Sequence, residues 1–371
     1  MSDSELYATF AGVLSDPCTF DSTRLGQWRA ALANRAAAGP KAVVVGDSWG
    51  EGAGASTIMN RWLDRLTTRL RGTFNGSVVG GAQYVPGFYA SSLSGTNPWV
   101  VTGGGTSSAW MGLGLRVRVV SSGGTATITR VCTGVDIYVS RGGNSGSISY
   151  TIDGGTAVAV TLGPSTPELH SVVVPIRNLS AASHTLVITA TGGALLLEGG
   201  FFYNGDETLG VKVWDGSRIR YTTGDYLADQ DWADALTTIQ PALVVLALGI
   251  NDYQVTPGKV SAATYQANLT ALLALIRSKI TLPPSIILWV PTEAKAGDGF
   301  LSPYTDFVTA ARAAAQDDGK VTVFEADKLI PDISTALLDT YGYGSGDFYH
   351  VNDKGHQALA DRMYEVLTGL A

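Results

Sequence analysis

The sequence predicts an α/β protein, in which a doubly wound parallel sheet is interrupted by an antiparallel β-sandwich. Apolar strands alternate with amphipathic helices near both ends of the 371-residue chain, as expected for a parallel sheet covered by helices. Residues 90–205 differ: they contain five Arg and no Lys, are rich in Gly, Ser, Thr and Val, and show no helical periodicity. Because the segment before them offers one strand of the parallel sheet, which could not form a sheet alone, we expect an insertion rather than two consecutive domains.

The parallel sheet is predicted from five apolar runs, each next to a helical pattern. In the helix predicted from Asp21 or Ser22, which ends at Gly39-Pro40, Leu25 and Trp28 lie on one face. Strands are expected at 42–45, 211–214, 242–248, 285–290 and 321–324, and further helices at 56–71, 225–239, 261–279, near 304–317 and at 353–370. We expect a flavodoxin-like sheet with strand order 2-1-3-4-5.

The segment 90–205 is predicted to form a jelly-roll-like β-sandwich. Ile148, Tyr150 and Ile152 alternate with polar residues, Asp153-Gly154 forms a turn, and a second alternating run follows, as in a β-hairpin. Similar runs occur at 115–120, 126–131, 135–139, 171–176 and 185–190. The predicted domains are therefore an α/β domain in two parts, 1–89 and 206–371, and the insertion 90–205.

Composition excludes several classes of protein. Hydrophobic residues make up 45% and charged residues 15%, which suits a large core, and the net charge of −7 argues against a nucleic-acid binder. The longest apolar run is too short to span a bilayer, and the N-terminal residues lack the pattern of a signal peptide. Cys18 and Cys132 form no metal-binding motif, so we expect two free thiols, with a single disulfide as the alternative.

The segment GDSWGEG, residues 46–52, directly follows the first predicted strand. A serine on a sharp turn at the end of a central strand can act as a nucleophile, although Gly-Asp-Ser is also an ordinary turn. The third strand ends in Gly249-Ile250-Asn251-Asp252, and order 2-1-3-4-5 places this loop opposite Ser48. The Asn251 amide could then donate to an oxyanion, unless Asn251-Asp252 is only a polar turn.

A general base is predicted near the C-terminus, where Asp347 and His350 lie three residues apart just before the last helix. This spacing allows the carboxylate to orient the imidazole, so that its other nitrogen takes a proton from a serine. The alternative is an Asp/His pair at a helix start, but Asp353 is the better N-cap candidate, and His356 fits a buried or hydrogen-bonded residue.

A metal site built from Asp47, Asp252, Asp347 and His350 is the competing use of these side chains. Zinc usually recruits more His or Cys than this set offers, so we favour nucleophilic catalysis.

Three motifs together resemble the SGNH (GDSL-type) hydrolases: GDSWGEG, GIND and DFYHVNDKGH, in the family's order. The resemblance covers about residues 1–85 and 206–371. It implies an esterase without metal or organic cofactor, with a triad of Ser48, Asp347 and His350. The implied oxyanion hole combines the Ser48 N–H, the Asn251 amide and a glycine N–H after the second strand. Gly216 is the candidate for that glycine, with Gly80, Gly81 and Gly87 as competitors.

The substrate implied by the resemblance is an ester, and we expect an O-acetyl group on a glycan. A β-sandwich beside an SGNH domain resembles the carbohydrate-binding modules of acetyl esterases, and aromatic residues of the insertion could stack on sugars or fill its core: Trp99, Trp110, Tyr138, Tyr150 and Tyr203. The alternatives are a lipid-ester or thioester hydrolase, and a non-catalytic glycan-binding or structural protein. The chain also resembles SGNH proteins on phage tails, which would act at a bacterial cell envelope.

Overall fold

The structure, a computed structural model, describes residues 18–19, 22–75, 82–89, 97–103, 111–142, 146–163, 169–206, 208–254, 258–290, 292, 301–330 and 349–369. Among these residues, no helix is long and apolar enough to cross a membrane. Cys132 is a buried free thiol.

Two β-sheets organise the described chain. Their strands, in chain order, are β1 Cys18–Thr19, β2 Lys41–Gly46, β3 Ala82–Pro86, β4 Val100–Thr102, β5 Arg118–Val120, β6 Thr125–Cys132, β7 Gly134–Arg141, β8 Ser147–Ile152, β9 Val158–Thr161, β10 Leu169–Ile176, β11 Ala182–Ala190, β12 Leu195–Tyr203, β13 Lys212–Asp215, β14 Leu243–Ala247, β15 Ser285–Val290 and β16 Val321–Glu325. The larger sheet runs β1-β16-β15-β14-β2-β13-β3-β12-β7-β10, with β5 also paired to β12, and the smaller one runs β4-β6-β11-β8-β9.

The predicted parallel sheet and its strand order are confirmed. β2 pairs in parallel with β13 on one side and β14 on the other, and β15 and β16 continue the series. Numbered by their order in the predicted domain, these strands give 2-1-3-4-5. The carboxyl ends of β2, β13 and β14 therefore meet at one edge, as the sequence predicted for Ser48 and Asn251.

Helices cover the parallel sheet: α1 Gly26–Ala33, α2 Ser48–Glu51, α3 Trp62–Phe74, α4 Thr223–Ala228, α5 Asp231–Ile239, α6 Ile250–Gln254, α7 Ala262–Lys279, α8 Tyr304–Ala315 and α9 Asp353–Thr368. Two predictions were wrong. The helix predicted at 56–71 begins only at Trp62, because Arg61 is extended (φ −63°, ψ 147°). The helix predicted at 225–239 is broken, because Asp229 leaves helical geometry after α4.

The described strands that lie between β3 and β13 in sequence pair with one another antiparallel, and the predicted hairpin is confirmed: β8 pairs with β9 across a turn in which Asp153 and Gly154 have positive φ. β12 was not predicted, because all nine of its residues are buried and show no alternation. It pairs with β3, which in turn pairs in parallel with β13. The larger sheet therefore passes from the parallel strands into the antiparallel ones. That residues 90–205 form a unit of their own stays a prediction.

The aromatic residues of the insertion belong mainly to the core. Trp99, Tyr138 and Tyr203 are at most 5% exposed, and Tyr150 is half-buried against the apolar core between the two sheets. Of the two predicted alternatives, the three buried side chains therefore fill the core, since a buried ring offers no face to a ligand. Trp110 lies outside the described residues.

We expect the two kinds of sheet to unfold together. Phe201 of β12 is fully buried, and its ring centroid lies 4.3 Å from the ring centroid of Trp214 on β13. Phe201→Ala should lower the free energy of unfolding by about 3–5 kcal/mol, because it leaves a cavity at this junction. Urea unfolding, followed by fluorescence and by circular dichroism, measures this change in the free energy of unfolding.

As a control, Val131→Ala at an exposed position of β6 should change the free energy by less than about 0.5 kcal/mol. Two separate unfolding transitions in the wild type would contradict the shared core.

Candidate active site

Ser48 lies at the end of β2, where the strand turns directly into α2. Asp47 is the N-cap of this one-turn helix, and its side chain accepts a hydrogen bond from the Trp49 N–H at 2.9 Å. Gly52 ends the turn with φ 83°, and a Cβ there would lie 2.5 Å from the Arg61 side chain. Glycine is therefore required at this position both by conformation and by space.

The Ser48 Oγ lies 2.8 Å from the His350 Nε2, which is hydrogen-bond distance. Ser48 is 4% exposed, while His350 is half-buried. When the Nε2 carries no proton, the hydroxyl donates to it, as a nucleophile donates to its general base. The structure thus brings together two of the three predicted triad residues, which are 302 positions apart in sequence.

Two sets of contacts fix this distance. On one side of His350, the Trp49 Nε1 donates to the Tyr349 carbonyl at 3.0 Å. On the other side, the Asp353 carboxylate accepts from the Ser56 N–H at 2.7 Å. The nucleophile turn and the His350 segment are therefore tied together both before and after the histidine.

Asp347, the predicted third member of the triad, lies outside the described residues. Asp353 was predicted as the N-cap of α9, which was wrong: Asn352 accepts from the Lys354 and Gly355 N–H groups, while Asp353 binds Ser56. His356 is fully buried beside the Ala53 carbonyl, 3.1 Å from its Nε2. Burial lowers the pKa of His356 to about 4, so it is neutral at pH 7.

Asn251 lies on α6, directly after β14, and is 3% exposed. Its Nδ2 donates to the Tyr221 carbonyl at 2.8 Å, which fixes the orientation of the amide. The neighbouring Asp252 is fully buried and accepts from the Thr223 N–H and hydroxyl. Asp252 therefore holds the start of α4, while Asn251 faces the chain just before it.

Gly216 follows β13, but the structure contradicts its prediction as an oxyanion donor. Its N–H donates to the Val44 carbonyl at 2.7 Å, so the sheet already uses it. A Cβ at this position would lie 2.7 Å from the Leu113 Cδ1, which explains the glycine by close packing. Gly87 is engaged in the same way, with its N–H on the Glu198 carbonyl, while Gly80 and Gly81 lie outside the described residues.

The segment 217–221 passes between Ser48 and Asn251 and is anchored along its length. The Arg218 N–H donates to the Gly46 carbonyl at 2.7 Å, and the Ile219 N–H donates to the Glu51 Oε2 at 2.8 Å. Arg220 has φ 68°, and no described residue accepts from its N–H. The sequence pattern did not single out Arg220, because it pointed to a glycine after the second strand, and only the positive φ marks this position.

Asp47 is the strongest electrostatic perturbation of the site. It is fully buried, and burial raises its pKa to about 8, with the nearby Asp252 carboxylate acting in the same direction. Burial likewise raises the pKa of Asp252 to about 6. No group of three or more His, Cys, Asp or Glu side chains in the described part of the chain is arranged to hold a metal ion.

A serine at the end of a central strand, a histidine on its hydroxyl and a buried amide across the switch point define the SGNH arrangement. Residues 206–358 match the GDSL-like lipase/acylhydrolase family. The fold is that of a peptidoglycan O-acetylesterase, with TM-score 0.70 and 15% identity over 96% of this chain and 98% of that one. The matched segment is therefore similar to the GDSL-like lipases and acylhydrolases, and the fold is similar to that of an O-acetylesterase; both likenesses indicate a carboxylic ester hydrolase.

Two other solved structures overlap less well. A family two carbohydrate esterase from Cellvibrio japonicus has 12% identity and TM-score 0.32 over 79% of this chain and 100% of that one. The Clostridium thermocellum enzyme of that family, in complex with cellohexaose, has 12% identity and TM-score 0.33 over 73% of this chain and 99% of that one. A comparison with curated protein sequences gave no significant match.

We predict that Asp47→Asn flattens the pH dependence of stability. Asp47 ionises near its ordinary value of 3.8 in the unfolded chain but near 8 in the fold, so its contribution to stability is lost as the pH rises between these values. Above pH 6.5 Asp252, with a pKa of about 6, is largely ionised in the folded protein. Of these two groups, Asp47 therefore dominates the change of the free energy of unfolding with pH above 6.5.

Urea unfolding between pH 6.5 and 8.5 measures this slope. Asp47→Asn should lose less stability over this range than the wild type, and substitution of the exposed Asp317 by Asn should leave the slope unchanged. An unchanged slope in Asp47→Asn would mean that Asp47 is ionised in the folded protein.

Proposed function

We propose that this protein is a serine esterase that removes short acyl groups, above all O-acetyl groups, from a glycan. The observation that carries the catalytic part is the 2.8 Å contact of the Ser48 hydroxyl with the His350 Nε2 at the carboxyl edge of the sheet. This edge is where doubly wound sheets bind their ligands.

In the proposed reaction, the Ser48 Oγ attacks the ester carbonyl carbon while the His350 Nε2 takes the hydroxyl proton. The tetrahedral intermediate then collapses, the C–O bond to the alcohol breaks, and the imidazolium returns the proton to the leaving oxygen. Water attacks the acyl-enzyme in the same way and releases the acid. Asp347 is proposed to orient the imidazole and stabilise its cation.

The oxyanion hole is proposed to contain the Ser48 N–H, the Arg220 N–H and the Asn251 amide. No described residue accepts from the Ser48 N–H, and the second N–H of the Asn251 amide remains after its bond to Tyr221. Arg220 replaces Gly216 in this proposal, because it lies between two residues that are fixed to the nucleophile turn and to Asn251. Donors held in this way stabilise charge without reorganisation.

The glycan part of the proposal is supported by the neighbours. The similar protein with TM-score 0.70 is, by its name, a peptidoglycan O-acetylesterase. At 15% identity, this likeness is one of fold.

Ser48→Ala should abolish hydrolysis of a short-chain aryl ester, because it removes the nucleophile, and His350→Ala should lower kcat by about 10³-fold or more, as for other members of a triad. Ester hydrolysis followed by absorbance measures both. Ser121→Ala, at an exposed position of the turn before β6, serves as the matched control. Activity of Ser48→Ala equal to that of the wild type would refute the proposal.

Acetate release from acetylated peptidoglycan and xylan, compared with hydrolysis of a long-chain lipid ester and a thioester, identifies the substrate class. Turnover of the acetylated glycans should be faster by at least tenfold. Faster turnover of the lipid ester or thioester would favour the competing hydrolases, and binding of a glycan without any turnover would favour a non-catalytic protein.

Asn251→Ala should lower kcat by about 10²–10³-fold, the effect of losing one oxyanion donor. Arg220→Gly should keep kcat within about threefold, since glycine retains the N–H and adopts a positive φ readily. Steady-state kinetics on the same ester measure both variants. A large loss of kcat in Arg220→Gly would mean that the side chain of Arg220, rather than its N–H, acts in the reaction.

A further inference from the structure

A cluster of five ionisable side chains lies buried beside the proposed site. Arg61 binds Asp215 at 2.8 Å and Asp64 at 2.6 Å. The Arg116 Nη1 lies 3.0 Å from the Glu51 Oε1, and its Nη2 lies 3.1 Å from the Asp215 Oδ2. These are ion-pair distances, although the N–H groups of Arg116 do not have hydrogen-bond geometry toward the two carboxylates. Each of these side chains is at most 4% exposed, which is unusual for charged residues and requires that they remain paired.

Arg116 differs from the rest of the cluster in its origin. It lies in the segment predicted as the insertion and outside the matched residues 206–358. The segment that carries it packs on the α/β part, where Leu113 lies against Gly216. On the insertion side, the Leu113 N–H donates to the buried Glu198 carboxylate of β12 at 3.2 Å. Arg116 is thus held from the insertion side while it contacts the hydrolase side.

The two carboxylates bound by Arg116 hold the proposed oxyanion segment at two points. Glu51 lies on the same short helix as Ser48 and accepts from the Ile219 N–H with the oxygen that Arg116 does not bind. Asp215 in the same way accepts from the Ser217 N–H at 3.0 Å through its second oxygen. Arg116 therefore links the nucleophile helix to the segment that carries the Arg220 N–H.

We propose that Arg116 is a positioning residue for the oxyanion hole, so that the insertion completes the catalytic site. This inference rests on the proposed esterase function. Without the guanidinium, Glu51 and Asp215 lose the cation they share, and the segment 217–221 is held less firmly relative to Ser48 by its remaining contacts. A displacement of about 1 Å from the productive geometry can cost about 10²-fold in rate. Substrate binding outside the oxyanion hole does not depend on this link.

The test compares Arg116→Lys and Arg116→Met with Arg177→Met. Lysine keeps the positive charge but cannot bridge two carboxylates as a planar guanidinium does. Arg177 forms an ion pair with Asp136 at 2.5 Å in the same sheet, so Arg177→Met controls for the general loss of an ion pair. All variants are assayed well below their melting temperatures, so that only folded protein is compared.

We expect kcat to fall about 10–100-fold in Arg116→Lys, with KM within about threefold, and to be unchanged in Arg177→Met. Backbone hydrogen exchange of residues 217–221 should become faster in both Arg116 variants but not in Arg177→Met. Wild-type kcat in Arg116→Lys, with unchanged exchange at 217–221, would overturn the inference. A loss of kcat that Arg177→Met shares would do the same, because it would indicate a general structural effect.

Hydrogen exchange also separates this inference from the proposed function. If the wild type hydrolyses no ester, the esterase proposal fails, whereas faster exchange at 217–221 in Arg116→Met would still establish the positioning role. If Arg116→Met does not fold, Arg116→Lys and Glu51→Gln, which breaks the same link from the other side, decide between the outcomes.

Discussion

The parallel pairing of β2 between β13 and β14 decides where the chemistry of this protein lies. In-register parallel strands end at one edge, so the residues that follow all three strands meet there, although they are far apart in sequence. Ser48 follows β2, the segment 217–221 follows β13, and Asn251 follows β14. His350 then reaches Ser48 from the start of α9, which the Trp49 and Asp353 contacts hold against the nucleophile turn. The site therefore depends on strand register before it depends on any single side chain.

Buried polar groups maintain this edge. The Tyr226 hydroxyl donates to the carbonyls of Gly46 and Gly216 and so joins the ends of β2 and β13. Asp252 holds the start of α4, and the cluster around Arg116 joins the nucleophile helix to the segment after β13. Such groups are costly to bury unless all are paired, which favours one arrangement of the edge over alternatives. We propose that the shared sheet and the Arg116 ion pairs act together, and that through them the antiparallel strands support the proposed oxyanion hole.

Sequence reasoning predicted most of what local patterns encode. Strand order followed from apolar runs alternating with helices, and the pairing of Ser48 with His350 followed from motifs at strand and helix ends. Sequence reasoning failed where contacts between distant segments determine the structure. Gly216 follows the second strand of the predicted domain, where the resemblance implies a glycine, but the β13–β2 ladder extends one residue further and uses its N–H. β12 has no alternation because it is buried on both faces, and the ion pairs of Arg116 join segments with no periodic relation.

The central claim is that Ser48, activated by His350, is the nucleophile of this protein. It is tested most directly by treating the protein with a fluorophosphonate, which reacts covalently with activated serines, and locating the adduct by peptide mass spectrometry. The account predicts a single adduct on Ser48, formed at least about 10²-fold more slowly in a folded His350→Ala variant. An adduct on another serine, no adduct at all, or equal labelling without His350 would contradict it.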